Sequence, residues 1–300
     1  MKDLIDRFLS EMLAQGRSAR TASTYRSGLY RFANEIGKPL GKLRSRDIQE
    51  WLMGLSGIGP CRRHNIRCAL SSFFAWCRRW EYLPADKDIM FQVSTIKRPE
   101  KVMPWLSKAE VRKVVEKGCS KALKGFLKRK ARALIKFLAL TSMRLNEALS
   151  LRWNHIHYDK GYIDYTMKGG KQDIYALDNQ LVELLKDYRE KYDHWQRMAQ
   201  RKKLNSTVEC AKYDYVFPAR TGKKWRHAYD AIRQAGKAVG VRIHPHMLRH
   251  SFAQWYIEDK GRIEGLQVLM GHKRISTTQG YYHQHLNLKK RARKAVKFNI

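Results

Sequence analysis

Residues 162–176 read YIDYTMKGGKQDIYA. Two runs that contain isoleucine, tyrosine and threonine flank a Lys-Gly-Gly-Lys turn, and such runs around glycines are typical of a β-hairpin. Most of the remaining sequence has helical spacing instead, with apolar residues three and four positions apart. The pattern therefore predicts a mainly α-helical chain that carries one small β-sheet or hairpin.

Helical periodicity is clear in residues 1 to about 95, which precede the hairpin. In the first stretch Ile5, Phe8, Leu9 and Met12 fall on one face of a helix. Three similar stretches follow, the last at Arg62–Trp80. We therefore expect the N-terminal part to be a bundle of amphipathic helices.

A change of composition divides the chain. Residues 96–104 contain two prolines and three cations without periodicity, which indicates a linker. We therefore expect two domains, a helical one at 1–95 and a second at 105–285, with a basic tail at 286–300 that is a candidate for contact between protomers. The second domain opens with a capping box at Ser107 for a helix through Val115.

The charge balance points to a polyanionic partner. The 300 residues include 61 Lys plus Arg and 27 Asp plus Glu, a net charge of +34, and both 1–100 (+8) and 101–300 (+26) are basic. Nucleic acid is favoured because neutralising phosphates releases counterions; a membrane surface and simple solubility are the alternatives.

Two further features of the sequence indicate where the protein acts and whether it carries a cofactor. No run of about 18 apolar residues occurs and the N-terminus does not resemble a signal peptide, so we expect a cytoplasmic protein that acts on DNA and does not bind membranes. The five cysteines form no metal-ligand spacing, so they indicate reduced, mostly structural thiols. We expect no metal and no other cofactor.

Four clusters of residues carry candidate chemistry, and the first two are individually weak. Arg144 and Glu147 are three residues apart, so the carboxylate is expected to hold the guanidinium, although such pairs are common on solvated helices. Lys168 precedes the glycines of the hairpin turn, where backbone can approach a ligand closely; Lys171 is the second candidate there.

The third and fourth clusters are more specific. His246, Arg249 and His250 share one helical face, and such a set of cationic or protonatable groups is costly without an anion. Tyr281 follows His272 by nine residues. Together the four clusters supply arginines, histidines, a lysine and a tyrosine, which suffice for phosphoryl transfer without a metal ion.

The order and spacing of these clusters resemble the tyrosine recombinase and phage integrase family, which includes the Xer and Cre recombinases. The family's T-G-x-R-x-x-E motif matches Thr141, Arg144 and Glu147, with Ser142 in place of glycine. The hairpin lysine, the H-x-x-R-H motif and the G-H pair followed nine residues later by tyrosine match Lys168, His246, Arg249, His250, His272 and Tyr281.

The resemblance implies an enzyme that forms a 3′-phosphotyrosyl bond between DNA and Tyr281 and works through a Holliday junction in a homotetramer. The arginines and His272 would stabilise the phosphorane, His246 would orient the phosphate or take the tyrosine proton, and Lys168 would protonate the leaving oxygen. The cations are expected to lower the pKa of Tyr281. Neither metal nor ATP would be needed, and accessory DNA-bending or directionality proteins are possible partners.

Three alternatives remain at this point. A type IB topoisomerase uses similar side chains on a single duplex, although the helical N-terminal part favours a recombinase. A catalytically silent DNA-binding protein would retain the basic surface without the reaction. Tyr282 is the other candidate nucleophile, but the spacing from His272 favours Tyr281.

Overall fold

The computed structural model describes residues 1–97, 103–167, 170–201, 214–219, 221–272 and 274–281, with backbone only at 199–201. Its chain divides into two compact units, Met1–Lys101 and Val102–Ile300. Within the described residues, no helix combines the length and apolar character that crossing a membrane requires.

The N-terminal unit is helical, as its periodicity predicts. Its elements are α1 (Lys2–Ala14), α2 (Ala19–Glu35), a 3-10 turn (Leu40–Lys42), α3 (Ser45–Met53) and α4 (Pro60–Arg79). α4 begins at Pro60 after the N-cap Gly59, because a proline without an N–H group suits the first turn of a helix. Its core contains aromatic pairs among many aliphatic residues: Phe8 packs on Phe73 with ring centroids 5.7 Å apart, and Phe32 packs on Phe74 at 6.0 Å.

The second unit is also mainly helical. Its elements are α5 (Lys108–Lys113), a π-helical turn (Val114–Gly118), α6 (Cys119–Ala122), α7 (Gly125–Thr141), α8 (Leu145–Ala148), a 3-10 turn (Trp153–His155), β1 (Ile156–His157), β2 (Tyr162–Thr166), β3 (Gln172–Ala176), α9 (Asn179–Arg201), α10 (Ala228–Lys237), α11 (Pro245–Glu258), α12 (Ile263–Leu269) and a last helix, α13, at 275–281.

The central helix of this unit is α7, which packs against α9 and α11. Leu134, Ile135 and Phe137 of α7 are each 0% exposed, because their spacing places them toward different neighbours of a helix that is surrounded. Burial of this kind stabilises a large apolar side chain by about 1.5–3 kcal/mol. It also fixes the C-terminal end of α7, where the first candidate motif begins.

The sheet has the order β1-β2-β3 and is antiparallel throughout. Tyr162 pairs with Ala176 and Thr166 with Gln172, so the predicted hairpin is confirmed. β1 was not predicted, since its two residues are too few to show strand alternation.

The predicted helix after Ser107 is correct at its start but wrong at its end. Ser107 and Glu110 form the expected capping box. The α-helix ends at Lys113 and continues as the π-helical turn. This turn lets Gly118 approach α10 so closely that a Cβ atom there would lie 2.2 Å from the carbonyl oxygen of Ala235.

Candidate active site

The site begins at the C-terminal end of α7, where the chain turns sharply. Ser142 adopts a left-handed conformation with φ of 54°, and it is fully buried. Glycine enters this region without penalty, which explains the glycine in the motif that this segment resembles. The turn directs the following residues into α8.

Arg144 and Glu147 form a pair around the N-terminus of α8. Glu147 accepts a hydrogen bond from the backbone N–H of Arg144 at 2.7 Å and one from its Nη1 at 2.9 Å. The Glu147 side chain is 5% exposed and that of Arg144 is 30% exposed. A buried carboxylate thus fixes a guanidinium that still faces solvent, which suits a cation that must bind an incoming anion.

Arg249 of α11 is almost completely buried and is held from two sides. Its Nη1 donates to the carbonyl oxygen of Ser142 at 2.7 Å, and its Nη2 donates to that of Met270. Burial, followed by repulsion from Arg144, lowers the pKa of Arg249 to about 10. The group therefore stays charged at neutral pH, and only part of its donor capacity is used by these two bonds.

Two histidines lie on α11 beside Arg249. The pKa values of His246 and His250 are both lowered, first by desolvation and then by neighbouring cationic or protonatable groups, including Arg249. For His250 the value falls to about 4. The repulsion expected of this helical face is thus present, and both imidazoles are neutral at neutral pH.

His272 follows α12 and the left-handed Gly271, which has φ of 57°. Its Nδ1 is 3.0 Å from the hydroxyl oxygen of Thr278, a buried residue in the segment that leads to Tyr281. Its ring lies parallel to that of Tyr281, with 6.3 Å between centroids. Desolvation and the charges of Arg249 and Arg144 lower the pKa of His272 to about 4.

Tyr281 is half-buried, and its hydroxyl oxygen lies 2.7 Å from Nδ1 of His250. Sequence reasoning gave His246 as the proton acceptor in one of its two roles, but among the described contacts it is His250 that meets the hydroxyl. The positive charges of Arg249 and Arg144 both favour ionisation of the Tyr281 hydroxyl, which therefore lies within the field of both guanidinium groups.

The expected lowering of the Tyr281 pKa is wrong. Its pKa is raised, because desolvation of the phenolate outweighs the attraction of Arg249 and Arg144. The free protein therefore holds this tyrosine as a neutral phenol.

Sequence reasoning missed several supporting groups. Gln254, one turn after His250 on α11, donates through Nε2 to the Tyr281 carbonyl oxygen at 3.4 Å. Thr278 contacts His272, and the carbonyl groups of Ser142 and Met270 hold Arg249. Only Thr278 had a signal, its place in the Ser-Thr-Thr run; backbone carbonyls and a buried glutamine give none in one sequence.

Lys168 lies outside the described residues, as do Tyr282 and the tail at 286–300. The residue before Lys168 is described, and it touches the site: a Cβ atom on Gly271 would lie 2.2 Å from the Cε of Met167. The described residues contain no group of three or more histidine, cysteine or carboxylate side chains arranged to hold a metal ion.

Comparison with known proteins identifies relatives along most of the chain. Tyrosine recombinase XerC of Xanthomonas axonopodis pv. citri (strain 306) is 30% identical over 251 residues, which cover 81% of this chain and 74% of that protein. Tyrosine recombinase XerD of Listeria monocytogenes serovar 1/2a (strain ATCC BAA-679 / EGD-e) is 29% identical over 301 residues, which cover 94% of each.

Solved structures that share the fold include two complexes with DNA. XerH site-specific recombinase bound to palindromic difH substrate, in a post-cleavage complex, gives a TM-score of 0.75 at 23% identity and covers 93% of this chain and 81% of that one. A lambda integrase tetramer bound to a Holliday junction gives 0.68 at 16% identity, with coverage of 93% and 76%.

The profile described as "Phage integrase family" matches residues 104–287, which contain every described candidate site residue from Arg144 to Tyr281. The match takes in more than half of the chain. This protein therefore belongs to the phage integrase family and is a relative of the Xer tyrosine recombinases.

Proposed function

We propose that this protein is a site-specific recombinase that cuts and rejoins double-stranded DNA through a 3′-phosphotyrosyl bond to Tyr281. One observation carries the proposal: the Tyr281 hydroxyl lies beside an imidazole and within the field of Arg144 and Arg249. The four groups come from separate parts of the sequence: Arg144 caps the N-terminus of α8, Arg249 and the imidazole of His250 lie on α11, and Tyr281 lies on α13.

The charges fit attack on a phosphodiester. The phosphorus is shielded by negative oxygens, and the transition state concentrates further charge on the two nonbridging oxygens. Arg144 and Arg249 each offer a planar set of donors to these oxygens, and His272 supplies a further hydrogen bond. His246, the remaining candidate on the same face of α11, is proposed to orient the phosphate.

The 5′ oxygen that leaves phosphorus during strand cleavage needs a proton. We assign Lys168 to protonate the departing 5′ oxygen, since it precedes the turn of the β2–β3 hairpin and Met167 already contacts the loop that carries His272. The 5′ hydroxyl of a partner strand then attacks the phosphotyrosine. One phosphoester bond replaces another at each step, so the reaction requires no ATP.

Independence from metal ions is part of the same proposal. Divalent ions commonly assist phosphoryl transfer by neutralising the charge on the phosphoryl oxygens. Here the positive charges of Arg144 and Arg249 act on the Tyr281 hydroxyl, and we propose that they neutralise the phosphoryl oxygens in place of a metal ion. We therefore expect excess EDTA to leave strand cleavage unchanged.

Double-stranded DNA is the proposed partner of both units. In the N-terminal unit, Arg20, Arg31 and Arg62 line a groove between α2 and α4. Such cations bind phosphates, while neighbouring polar groups such as Ser23 and Thr24 are suited to further contacts. The lambda integrase structure is a tetramer on a Holliday junction, and we propose the same assembly here, with accessory DNA-bending or directionality proteins as further partners.

The recombinase proposal is favoured over the two other classes. The Xer relatives cover the helical N-terminal unit as well as the second unit, whereas resemblance to a type IB topoisomerase rests on catalytic residue types alone. A silent DNA-binding protein has no need to keep Glu147, Thr278 and Gln254 in contact with the candidate catalytic groups.

Covalent capture tests the proposal. The protein is incubated with a double-stranded library that contains a long randomised region, and protein-linked DNA is recovered under denaturing conditions and sequenced. Tyr281→Phe should retain DNA binding and lose the adducts, whereas the matched control Tyr282→Phe should keep them. Adducts that persist in Tyr281→Phe and vanish in Tyr282→Phe would show that the nucleophile is misassigned.

A further inference from the structure

We propose that His250 is the catalytic base of this enzyme: its Nδ1 takes the proton from the Tyr281 hydroxyl during strand cleavage and returns it during ligation. The inference rests on the proposed function and adds a second reacting residue to it. The resemblance to the family gave His250 only a supporting role and made His246 a candidate acceptor of the Tyr281 proton.

The contact itself is direct. The Tyr281 hydroxyl oxygen lies 2.7 Å from Nδ1 of His250, which is within the range for proton transfer along a hydrogen bond. With the ring proton on Nε2, Nδ1 accepts the phenol proton. Donation of that proton leaves a lone pair of the tyrosine oxygen for attack on phosphorus.

The other histidines of the site are less well placed. His272 has its Nδ1 on the Thr278 hydroxyl, and its ring is parallel to that of Tyr281 with an interplanar angle of 6°. It therefore presents its face to the tyrosine ring. Among the contacts of the described residues, none joins a ring nitrogen of His246 to the Tyr281 hydroxyl.

The surroundings keep His250 ready to accept a proton. Desolvation, followed by the charges of His246, Arg249, His244 and His272, lowers the pKa of His250 to about 4. At neutral pH the imidazole is therefore neutral. An imidazole without a proton on Nδ1 is the form that a base requires.

Bound DNA is expected to adjust the strength of this base. A phosphodiester held by Arg144 and Arg249 adds a negative charge close to His250, and a negative charge favours imidazolium. The pKa of His250 then rises from about 4 toward neutrality, where general bases work best at physiological pH. The base is thus expected to gain strength only when a phosphate occupies the site.

Each atom in the step is accounted for. The bond between the Tyr281 oxygen and phosphorus forms, and the bond between phosphorus and the 5′ oxygen breaks. The tyrosine proton moves to Nδ1 of His250, while the departing oxygen receives a proton from the acid, assigned to Lys168. Ligation reverses each transfer, so His250 returns to its neutral form after a complete cycle.

The position of His250 on α11 suits a catalytic base. It is the residue next to Arg249, whose guanidinium is fixed by the carbonyl groups of Ser142 and Met270. The base and a phosphate-binding cation are therefore carried by the same rigid helix. A base held in this way has its distance to the reacting phosphate set by the fold.

The test is single-turnover cleavage with chemical rescue. The probe is a nicked duplex that carries the sequence recovered by covalent capture, mixed with saturating full-length protein. We expect His250→Ala to lower the rate of adduct formation by about 100-fold or more, and free imidazole to restore at least about tenfold of that loss. Imidazoles of higher pKa should rescue better.

Two matched variants separate a base from a residue that only packs. His250→Gln keeps a hydrogen-bond acceptor but cannot be protonated, so it should remain slow, and imidazole should not rescue it because the cavity is filled. His272→Ala removes a ring of the same size from the other side of Tyr281. Its defect should not respond to imidazole.

The possible results are distinct. Cleavage by His250→Gln within about threefold of the wild-type rate, or failure of imidazole to rescue a DNA-binding His250→Ala protein, would overturn the role of His250 while leaving the recombinase proposal intact. Absence of adducts with the wild-type protein would remove both proposals together.

Discussion

Ser142 shows how the site is held at the level of one residue. Its left-handed backbone is strained for a residue with a side chain, by about 1–3 kcal/mol. The same conformation aims its carbonyl group at Arg249, and its hydroxyl donates to the carbonyl oxygen of Leu269 at 3.2 Å. The strain is therefore offset by contacts on both sides of the turn.

Replacement of Ser142 should reveal this balance. Ser142→Gly relieves the backbone strain but loses the hydroxyl bond, worth about 1 kcal/mol, so we expect little change in the free energy of unfolding. Ser142→Val should lower it by about 2 kcal/mol or more, because a β-branched residue fits neither the φ of 54° nor a fully buried position. Urea denaturation measures both.

Lys260 provides a matched control, since it also has a left-handed backbone, with φ of 62°, but is exposed. Lys260→Gly should increase the free energy of unfolding by up to about 1 kcal/mol. A large loss of stability in Ser142→Gly would show that the hydroxyl bond matters more than the strain.

The histidines of the site should make folding sensitive to acid. His250 and His272 have pKa values of about 4 in the folded state, below the ordinary 6.5, so the unfolded chain binds more protons between these values. The contribution of these two histidines to the free energy of unfolding should be present in full above about pH 6.5 and should be lost as the pH falls toward 4. Denaturant titrations across this range measure the slope.

The slope of the free energy of unfolding against pH has an upper limit, and one variant serves as its control. Each histidine contributes at most about 1.4 kcal/mol per pH unit, because it binds at most one proton more in the unfolded chain than in the folded one. His250→Gln should have a shallower slope than the wild type. Equal slopes would show that His250 is not depressed in the folded protein.

At the level of elements, the π-helical turn at Val114–Gly118 fixes how α10 packs. Gly118→Ala would place its Cβ 2.2 Å from the Ala235 carbonyl oxygen, a backbone atom that cannot rotate away. We expect a loss of about 2–3 kcal/mol in the free energy of unfolding, as for overpacking elsewhere. Thermal or urea denaturation reports it.

Gly280 serves as the comparison for that substitution. It lies in helix α13, and no atom of the described residues lies within 4 Å of a Cβ atom built on it. Gly280→Ala should be neutral or stabilising by up to about 1 kcal/mol. Similar losses in both variants would argue that helix propensity, and not contact with Ala235, controls the effect.

Local signals explain which elements could be predicted. The hairpin at Tyr162–Ala176 and the capping box at Ser107 depend on residues close together in sequence, and both are present. The π-helical turn depends on contact with α10, more than 100 residues away, so no local pattern indicates it. The positions of domain boundaries and of the tail at 286–300 stay predictions.

In the candidate site, too, local spacing could be predicted from the sequence and long-range contacts could not. Spacing placed His246, Arg249 and His250 on one helical face, and α11 carries all three. Spacing does not specify which ring nitrogen meets the Tyr281 hydroxyl, because that depends on how α13 packs against α11. The wrong direction for the Tyr281 pKa has a related cause: a sequence shows nearby cations but not the burial that outweighs them.

For the whole molecule, the net charge of +34 predicts strong dependence of DNA binding on salt. Each phosphate contact contributes about −0.9 to the slope of log affinity against log salt, so six or more contacts weaken binding by roughly 10³-fold between 50 and 200 mM. Fluorescence anisotropy with the captured duplex measures this slope. Tyr281→Phe should give the same slope, and binding that ignores salt would contradict the electrostatic account.

The identity of the residue that bonds to DNA tests the central claim most directly. Adducts formed in excess EDTA are digested with nuclease and trypsin, and tandem mass spectrometry locates the attached nucleotide within residues 275–289, a tryptic fragment that contains Tyr281 and Tyr282. The account predicts a nucleotide joined through its 3′ phosphate to Tyr281. A nucleotide on Tyr282 or on any other residue, or no adduct without a divalent ion, would contradict it.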